Sequence, residues 1–341
     1  MTWNRALACI SLVLLLIPLT AQAQRKTDIV SLYNGDRITG EIKSLAGGIL
    51  TLSTDSIGTL KIEWQEVAHL ESRFHYSLRL SDGSRHFGTL ETSSRPGELL
   101  LQTDAGQQSL SGLQVVELQP VEDSILDRLD IYLSAGYSYT KASSVAQTTL
   151  NTSIAYEDEN TRTSFTGRST LTQTDEENTN SNRLDLSRRV WTDRSQLYRS
   201  FFASYETNDE LALDYRVAAG AGLGRYFIDN NRSTLTGDTG LQVITENTVD
   251  GGEDQNIEWY IAGTFSAWRY NTPELQTDLN LNLYPNLTDR GRLRADSDLR
   301  IRWEIVSDLF WDITAFGSYD NQADSDKQYD YGITTGLGWK Y

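Results

Sequence analysis

Side chains that could do acid–base or metal chemistry are few in this sequence, and the common ones form no signature. All three histidines, His69, His75 and His86, fall within eighteen residues of one another. His75 and His86 flank a predicted strand and could in principle meet, but a metal site normally needs a third ligand. With cysteine confined to Cys9, that ligand would have to be a carboxylate. Surface histidines are the simpler reading, and no metal or cofactor is expected. Beyond His86 there is no histidine, so a hydrolase with a histidine general base is disfavoured in the long carboxy-terminal part. A carboxylate base stays open, since Asp and Glu are plentiful, yet no pair is singled out by spacing. The polar run Thr174–Asn182 lacks the Asp-x-Asp-x-Asp-Gly spacing of a calcium loop and reads as solvated. The expectation is a protein that is not an enzyme.

The charged residues after position 129 are ordered in another way: they alternate with apolar ones. Leu275, Thr277, Leu279, Leu281 and Leu283 alternate with Gln276, Asp278, Asn280 and Asn282. Leu293, Ala295, Leu299, Ile301, Trp303 and Ile305 alternate with Arg294, Asp296, Asp298, Arg300, Arg302 and Glu304. Period two is the mark of a strand with two unlike faces. Twelve such segments are predicted, over 129–140, 145–156, 161–172, 183–191, 195–206, 211–227, 233–246, 257–270, 275–285, 292–305, 309–320 and 329–341. A soluble sandwich has difficulty wetting one face of every strand across two hundred residues. A closed transmembrane barrel does so naturally, with lipid outside and a polar lumen inside. The inward set then contains Arg162, Arg168, Arg183, Arg189, Arg216, Arg294, Arg300 and Arg302. With them go Asp185, Asp214, Asp238, Glu258, Asp278, Asp296, Asp298, Glu304 and Asp312. These groups are expected to pair across strands and narrow the opening.

Connections after even strands are short, at 157–160, 192–194, 228–232, 271–274 and 306–308. Several after odd strands are long, at 173–182, 247–256 and 321–328. That alternation suits a barrel with both termini in the periplasm. The final segment, Tyr329–Tyr341, ends Gly336-Leu337-Gly338-Trp339-Lys340-Tyr341, with Gly336 and Gly338 on the small face and Trp339 and Tyr341 on the aromatic one. It resembles the assembly signal of bacterial outer-membrane barrels, which implies the barrel-assembly machinery as a partner and outer-membrane lipid and lipopolysaccharide as surroundings.

Ahead of this region, residues 28–118 repeat with a period of 48. Val30–Ile42 aligns with Leu78–Leu90, Gly35 with Gly83, Gly40 with Gly88, Gly58 with Gly106, and Val67 and Leu70 with Val115 and Leu118. Asn34-Gly35 and Asp82-Gly83 are hairpin signals. Two small bent β units of about five strands each are expected. Their pattern resembles Sm-like or SH3-like barrels. Some such barrels bind RNA, but no basic aromatic patch is present, and a net charge of −17 argues against nucleic acid.

The amino end carries Arg5, an apolar run from Ala6 to Leu19 and Ala21-Gln22-Ala23, the pattern of a signal peptide cut before Gln24. The domain reading is therefore all-β: signal peptide 1–23, a periplasmic repeat domain 24–119, a linker 120–128, and a barrel of about twelve strands, 129–341. Together with Gly220-Ala221-Gly222-Leu223-Gly224-Arg225-Tyr226, this layout resembles the family of salt-induced outer-membrane proteins. The resemblance implies an outer-membrane, porin-like barrel of unknown activity with a link to osmotic or salt stress. The functions to weigh are a narrow charge-balanced pore and an envelope scaffold. A barrel enzyme acting on lipid or lipopolysaccharide and a surface-loop adhesin are the alternatives; a periplasmic partner is not specified.

Overall fold

The computed structural model describes residues 27–103, 105–121, 128–141, 144–158, 160–175, 177–192, 196–209, 213–248, 252–322 and 328–339. The predicted signal peptide, most of the predicted linker and Tyr341 lie outside these residues.

The amino-terminal domain consists of β1 (Asp28–Leu32), β2 (Arg37–Ala46), β3 (Ile49–Ser53), β4 (Thr59–Glu63), β5 (Val67–Leu80), β6 (Arg85–Glu91), β7 (Glu98–Thr103), β8 (Gly106–Ser111) and β9 (Val115–Pro120). Single 3-10 turns at Trp64–Glu66 and Gly112–Gln114 precede β5 and β9. The 48-residue repeat is written in the hydrogen bonds. Tyr33 N donates to Glu66 O and Ser81 N to Gln114 O; Leu32 N donates to Asp36 O and Leu80 N to Ser84 O. Gly40 and Gly88 sit at equivalent crossings, where a Cβ would run into the carbonyls of Ser53 and Gln102. Only glycine lets the bent strands approach that closely.

Val30, Ile42, Leu45, Leu50, Leu52, Leu78, Leu90, Leu101 and Leu118 are fully buried in one core shared by both units. Each such side chain contributes about 1.5–3 kcal/mol by leaving water. Asp28 is buried with them. Its carboxylate accepts from Ile42 N at 2.8 Å, from Tyr76 Oη at 2.8 Å and from Ser72 Oγ, so one acid ties both units together.

The carboxy-terminal part is a single antiparallel sheet in sequence order: β10 (Leu129–Thr140), β11 (Val145–Glu157), β12 (Thr161–Gln173), β13 (Asn178–Trp191), β14 (Leu197–Asn208), β15 (Leu213–Asn230), β16 (Ser233–Thr248), β17 (Gly252–Arg269), β18 (Leu275–Pro285), β19 (Leu293–Val306), β20 (Leu309–Asp320) and β21 (Tyr329–Trp339). The twelve predicted strands are these twelve. Two connections expected to be long are corrected. β13 begins at Asn178, paired with Gln173, and β17 begins at Gly252, paired with Thr248, so most of 173–182 and 247–256 is ladder. Polar side chains there mimic a loop, but the backbone bonds continue past the apolar stretch.

The sheet curls. Ser200 on β14 lies 3.2 Å from Tyr260 on β17, three strands away, and Arg183 on β13 is within electrostatic reach of Tyr284 on β18. Pairing is continuous from β10 to β21. Among the described residues no pair joins β21 back to β10, which leaves a seam between first and last strands in place of the uninterrupted closure expected.

Candidate functional site

In-register partners on neighbouring strands share a face, so the pairing assigns each regularly paired side chain to the concave or the convex surface. Arg216 pairs with Glu206 and Glu246, Glu206 with Arg183, Arg183 with Arg168, and Arg189 with Arg162. Asn282 pairs with Asp296, Asn280 with Asp298, Asp278 with Arg300, and Arg302 with Asp312. Asp214 sits in the bulge of β15 and accepts from the convex-side Asn247; the other charged residues assigned inward from the alternation lie on the surface that carries Ser200 and Tyr260, the concave one.

The concave wall of β14–β17 is lined by rings laid over glycines. Gly220, Gly222 and Gly224 face inward, and a Cβ at these positions would strike Phe202, Tyr260 and Tyr198 respectively. Phe202 and Tyr260 meet edge to face at 5.4 Å, and Tyr260 Oη donates to Asp238 Oδ1 at 2.7 Å. The Gly-x-Gly-x-Gly motif therefore makes room for an aromatic patch on the lumen wall. Its alternation could be read from the sequence; the rings that cover it could not.

Pairing of the lumen charges is partial, which corrects the expectation that they pair throughout. A chain of ion pairs runs Asp185–Arg183–Glu206–Arg216–Glu246 across β13–β16, at 3.0, 3.4, 3.5 and 2.9 Å. Arg294 reaches over β18 to the buried Glu258 at 2.8 Å, and Arg162 lies 3.6 Å from Glu157. Glu304 instead accepts from the backbone of Glu274 and Asp308, holding two short connections together. Among the described residues Arg168, Arg189, Arg300, Asp296 and Asp298 have no ion-pair partner. Arg168 donates to Asn151 Oδ1 at 3.1 Å, and Arg189 stacks over Tyr198. The reason is geometric: Arg162 faces Arg189, and Arg168 faces Arg183, so β12 and β13 form a basic wall. Asp278, Asp296, Asp298 and Asp312 gather on β18–β20, beside Arg300 and Arg302.

Between these walls are two spaces of about 530 and 540 Å³. One is bounded by Arg162, Arg189, Tyr198, Asp238 and Thr264, the other by Thr264, Asp278, Asp298 and Arg300.

The amino-terminal domain sits on the short-connection rim of this sheet. Gln196 Nε2 donates to Ser81 O at 3.1 Å, Asn231 Nδ2 to Val115 O at 2.9 Å, and Tyr270 Oη to Gly47 O at 2.9 Å. Asn271 is within hydrogen-bond reach of Glu63 and Gln65. Arg79 is the hub: it pairs with Glu117 at 2.6 Å and with the buried Asp229, and its guanidinium stacks 5.1 Å from Tyr226. Arg85 stacks over Trp191 at 4.4 Å. Burial alone would raise the Glu117 carboxyl, but the guanidinium of Arg79, with Arg85 behind it, holds it below the usual range. Nothing in the sequence pairs residue 79 with residue 229, so this interface was not legible there.

Of the proposed assembly signal, Gly336 and Gly338 face the concave side of β21 and Trp339 is exposed on the convex side, diagonal to Trp311; Tyr341 is outside the described residues. His75 pairs with Thr89 and His86 with Leu78, so the two are not cross-strand partners.

A family model described as "Protein of unknown function, DUF481" matches residues 133–341. No curated protein matches. Among solved structures the chain is similar to the NanC porin, at 11% identity and a TM-score of 0.37, over 62% of this chain and all of that one. It is also similar to the translocator domain of the autotransporter NalP from Neisseria meningitidis, at 16% identity and a TM-score of 0.33, over 62% of this chain and 87% of that one.

Proposed function

We propose that this chain, which belongs to the DUF481 family of proteins of unknown function, is an outer-membrane β-barrel forming a narrow, charge-lined passage covered at its periplasmic mouth by the amino-terminal domain. Twelve strands of 11 to 18 residues each reach or exceed the roughly 9–11 needed to cross a bilayer. The convex face exposes Leu133, Leu186, Leu223, Leu241, Leu281 and Ile333. Aromatic residues mark both ends of the last strands: Trp303, Trp311 and Trp339 near the short connections, Tyr319, Tyr329 and Tyr331 near the long ones.

The observation that carries the passage over a filled scaffold is the open volume between the basic wall of β12–β13 and the carboxylates of β18–β20. Unpaired charges of both signs facing such a space set a transverse field, which favours small ions and polar solutes. The amino-terminal domain bonds to the connections β13–β14, β15–β16 and β17–β18, and Arg85 and Glu117 lie beside Glu157 at β11–β12, so it covers a large part of that rim. The association with salt stress rests on the family resemblance, and a role without catalysis rests on the absence of a distinctive acid–base pair.

Single-channel recording of the full-length protein in planar bilayers tests the reading. A small conductance is expected, with ion selectivity shifted by Arg300→Ala and Arg302→Ala. A conductance on the nanosiemens scale would refute a narrow passage. Silence, both in the full chain and in an Arg79→Ala/Asp229→Ala variant with the cover loosened, would instead support a scaffold or a display of surface loops.

A further inference from the structure

The convex face of the twelve strands is almost free of charge. On β10–β12 and β18–β21 every outward position is apolar, small or uncharged polar, as the register assigns them. The outward positive charges on β13–β17 are all arginine: Arg188 on β13, Arg199 on β14, Arg225 on β15 and Arg269 at the end of β17. All four are exposed. Among the regularly paired positions the single outward carboxylate, Glu253, is at the opposite, long-connection end of β17, and Asp214, in the bulge of β15, is also at the long-connection end.

Three of the four arginines form a row. Val190 pairs with Arg199 and Leu197 with Arg225, so Arg188, Arg199 and Arg225 are successive diagonal neighbours near the short-connection ends of their strands. Among the described residues none of the three has an ion-pair partner, and Arg225 lies over the Phe227 ring at 5.8 Å. Arg269 donates to Pro273 O at 2.8 Å. In a chain with 47 acidic and 30 basic residues, an outward row of one sign at one height is not explained by solubility.

We infer that Arg188, Arg199 and Arg225 bind the phosphates of anionic phospholipid head groups in the leaflet on the short-connection side. This rests on the reading that the convex face meets lipid. Arginine offers two parallel N–H donors to a phosphate, and its aliphatic stem can lie on the apolar wall while the guanidinium reaches the interface. The carboxylates of the lumen are screened from this row by the sheet itself. No equivalent row is present on β18–β21, where Trp303, Trp311 and Trp339 occupy the corresponding level, so the annulus of bound lipid is expected to be lopsided.

The test uses full-length protein in phosphatidylcholine vesicles containing trace spin-labelled phosphatidylglycerol or phosphatidylcholine. Insertion is scored first, in neutral lipid, by heat-modifiable migration; it does not require the arginines. A protein that fails to insert refutes the membrane reading, and the inference with it. If it inserts, the wild type is expected to hold phosphatidylglycerol about tenfold more strongly than phosphatidylcholine. Arg188→Gln/Arg199→Gln/Arg225→Gln should insert equally well and bring the ratio close to one, and the triple Arg→Lys variant should keep part of the preference. Equal preference in the wild type and the Gln variant overturns the inference while leaving the barrel intact.

Discussion

Asp28 shows how one residue can hold two repeats together. Its carboxylate joins Ile42 of the first unit to Ser72 and Tyr76 at the start of the second, and it has no contact with water. Asp28→Ala would leave three buried donors without an acceptor, so a loss of about 3 kcal/mol is expected in the unfolding of the amino-terminal domain. Tyr76→Phe removes one donor and should cost about 1 kcal/mol; equal losses in the two variants would contradict this picture. At the interface the decisive group is Glu117. Its folded-state pKa is below the unfolded one, so its contribution is present above the unfolded value of about 4.3 and is lost as pH falls through the folded value. Asp82, held low by the Ser84 hydroxyl and backbone N–H, shifts in the same direction. Protection of the short connections from protease in detergent should therefore decline below about pH 4, as Glu117 and Asp82 take up protons. A decline centred near neutrality would point to a different group.

At the level of elements, β15 depends on its neighbours leaving room. The three atoms nearest a Cβ at Gly224 all belong to the Tyr198 ring, whereas at Gly222 the Thr239 carbonyl is among the nearest and adds a backbone obstacle. Gly224→Ala is expected to destabilise by about 1–3 kcal/mol through overpacking. Adding Tyr198→Ala should recover part of that loss, a coupling that a double-mutant cycle on thermal or urea unfolding will detect. Strictly additive effects would show that the ring is not what limits the position. For β21, removal of Gly338–Tyr341 should leave degraded or periplasmic protein, because Trp339 then no longer presents the outward end of the last strand. Normal membrane levels of the truncated chain would dismiss it as an assembly signal.

On the scale of the whole molecule, the seam between β10 and β21 has a physical consequence. Two strand edges facing hydrocarbon would leave rows of N–H and C=O groups unsatisfied, each costing several kcal/mol, so in a membrane the edges are expected to meet. Ser134 and the series Gly332, Thr334 and Gly336 face the same side near the middle of their strands. With Cys9 in the predicted signal peptide, the chain has no other cysteine to compete. Ser134→Cys combined with one of Gly332→Cys, Thr334→Cys or Gly336→Cys should crosslink in membranes. Failure of all three pairs would mean that the edges are held apart, or joined to another chain.

Much of this architecture follows from local pattern. Period-two alternation made the twelve strands and the inward identity of residues such as Arg183, Asp296 and Arg302 legible, because neighbouring side chains on any strand must point to opposite faces. The 48-residue repeat likewise announced equivalent turns at Gly35 and Gly83. Polar stretches such as Asn178–Asn182 misled, since side-chain polarity records contact with water and not whether the backbone stays paired. What the tertiary structure alone decided involves segments far apart in the chain: the rings of Tyr198, Phe202 and Tyr260 over three glycines, the basic wall made by the offset of β12 against β13, and the docking of Arg79 on Asp229, 150 residues away. Curvature, strand offset and the landing of one domain on the rim of another arise from the summed geometry of many pairs, and no window of sequence contains them.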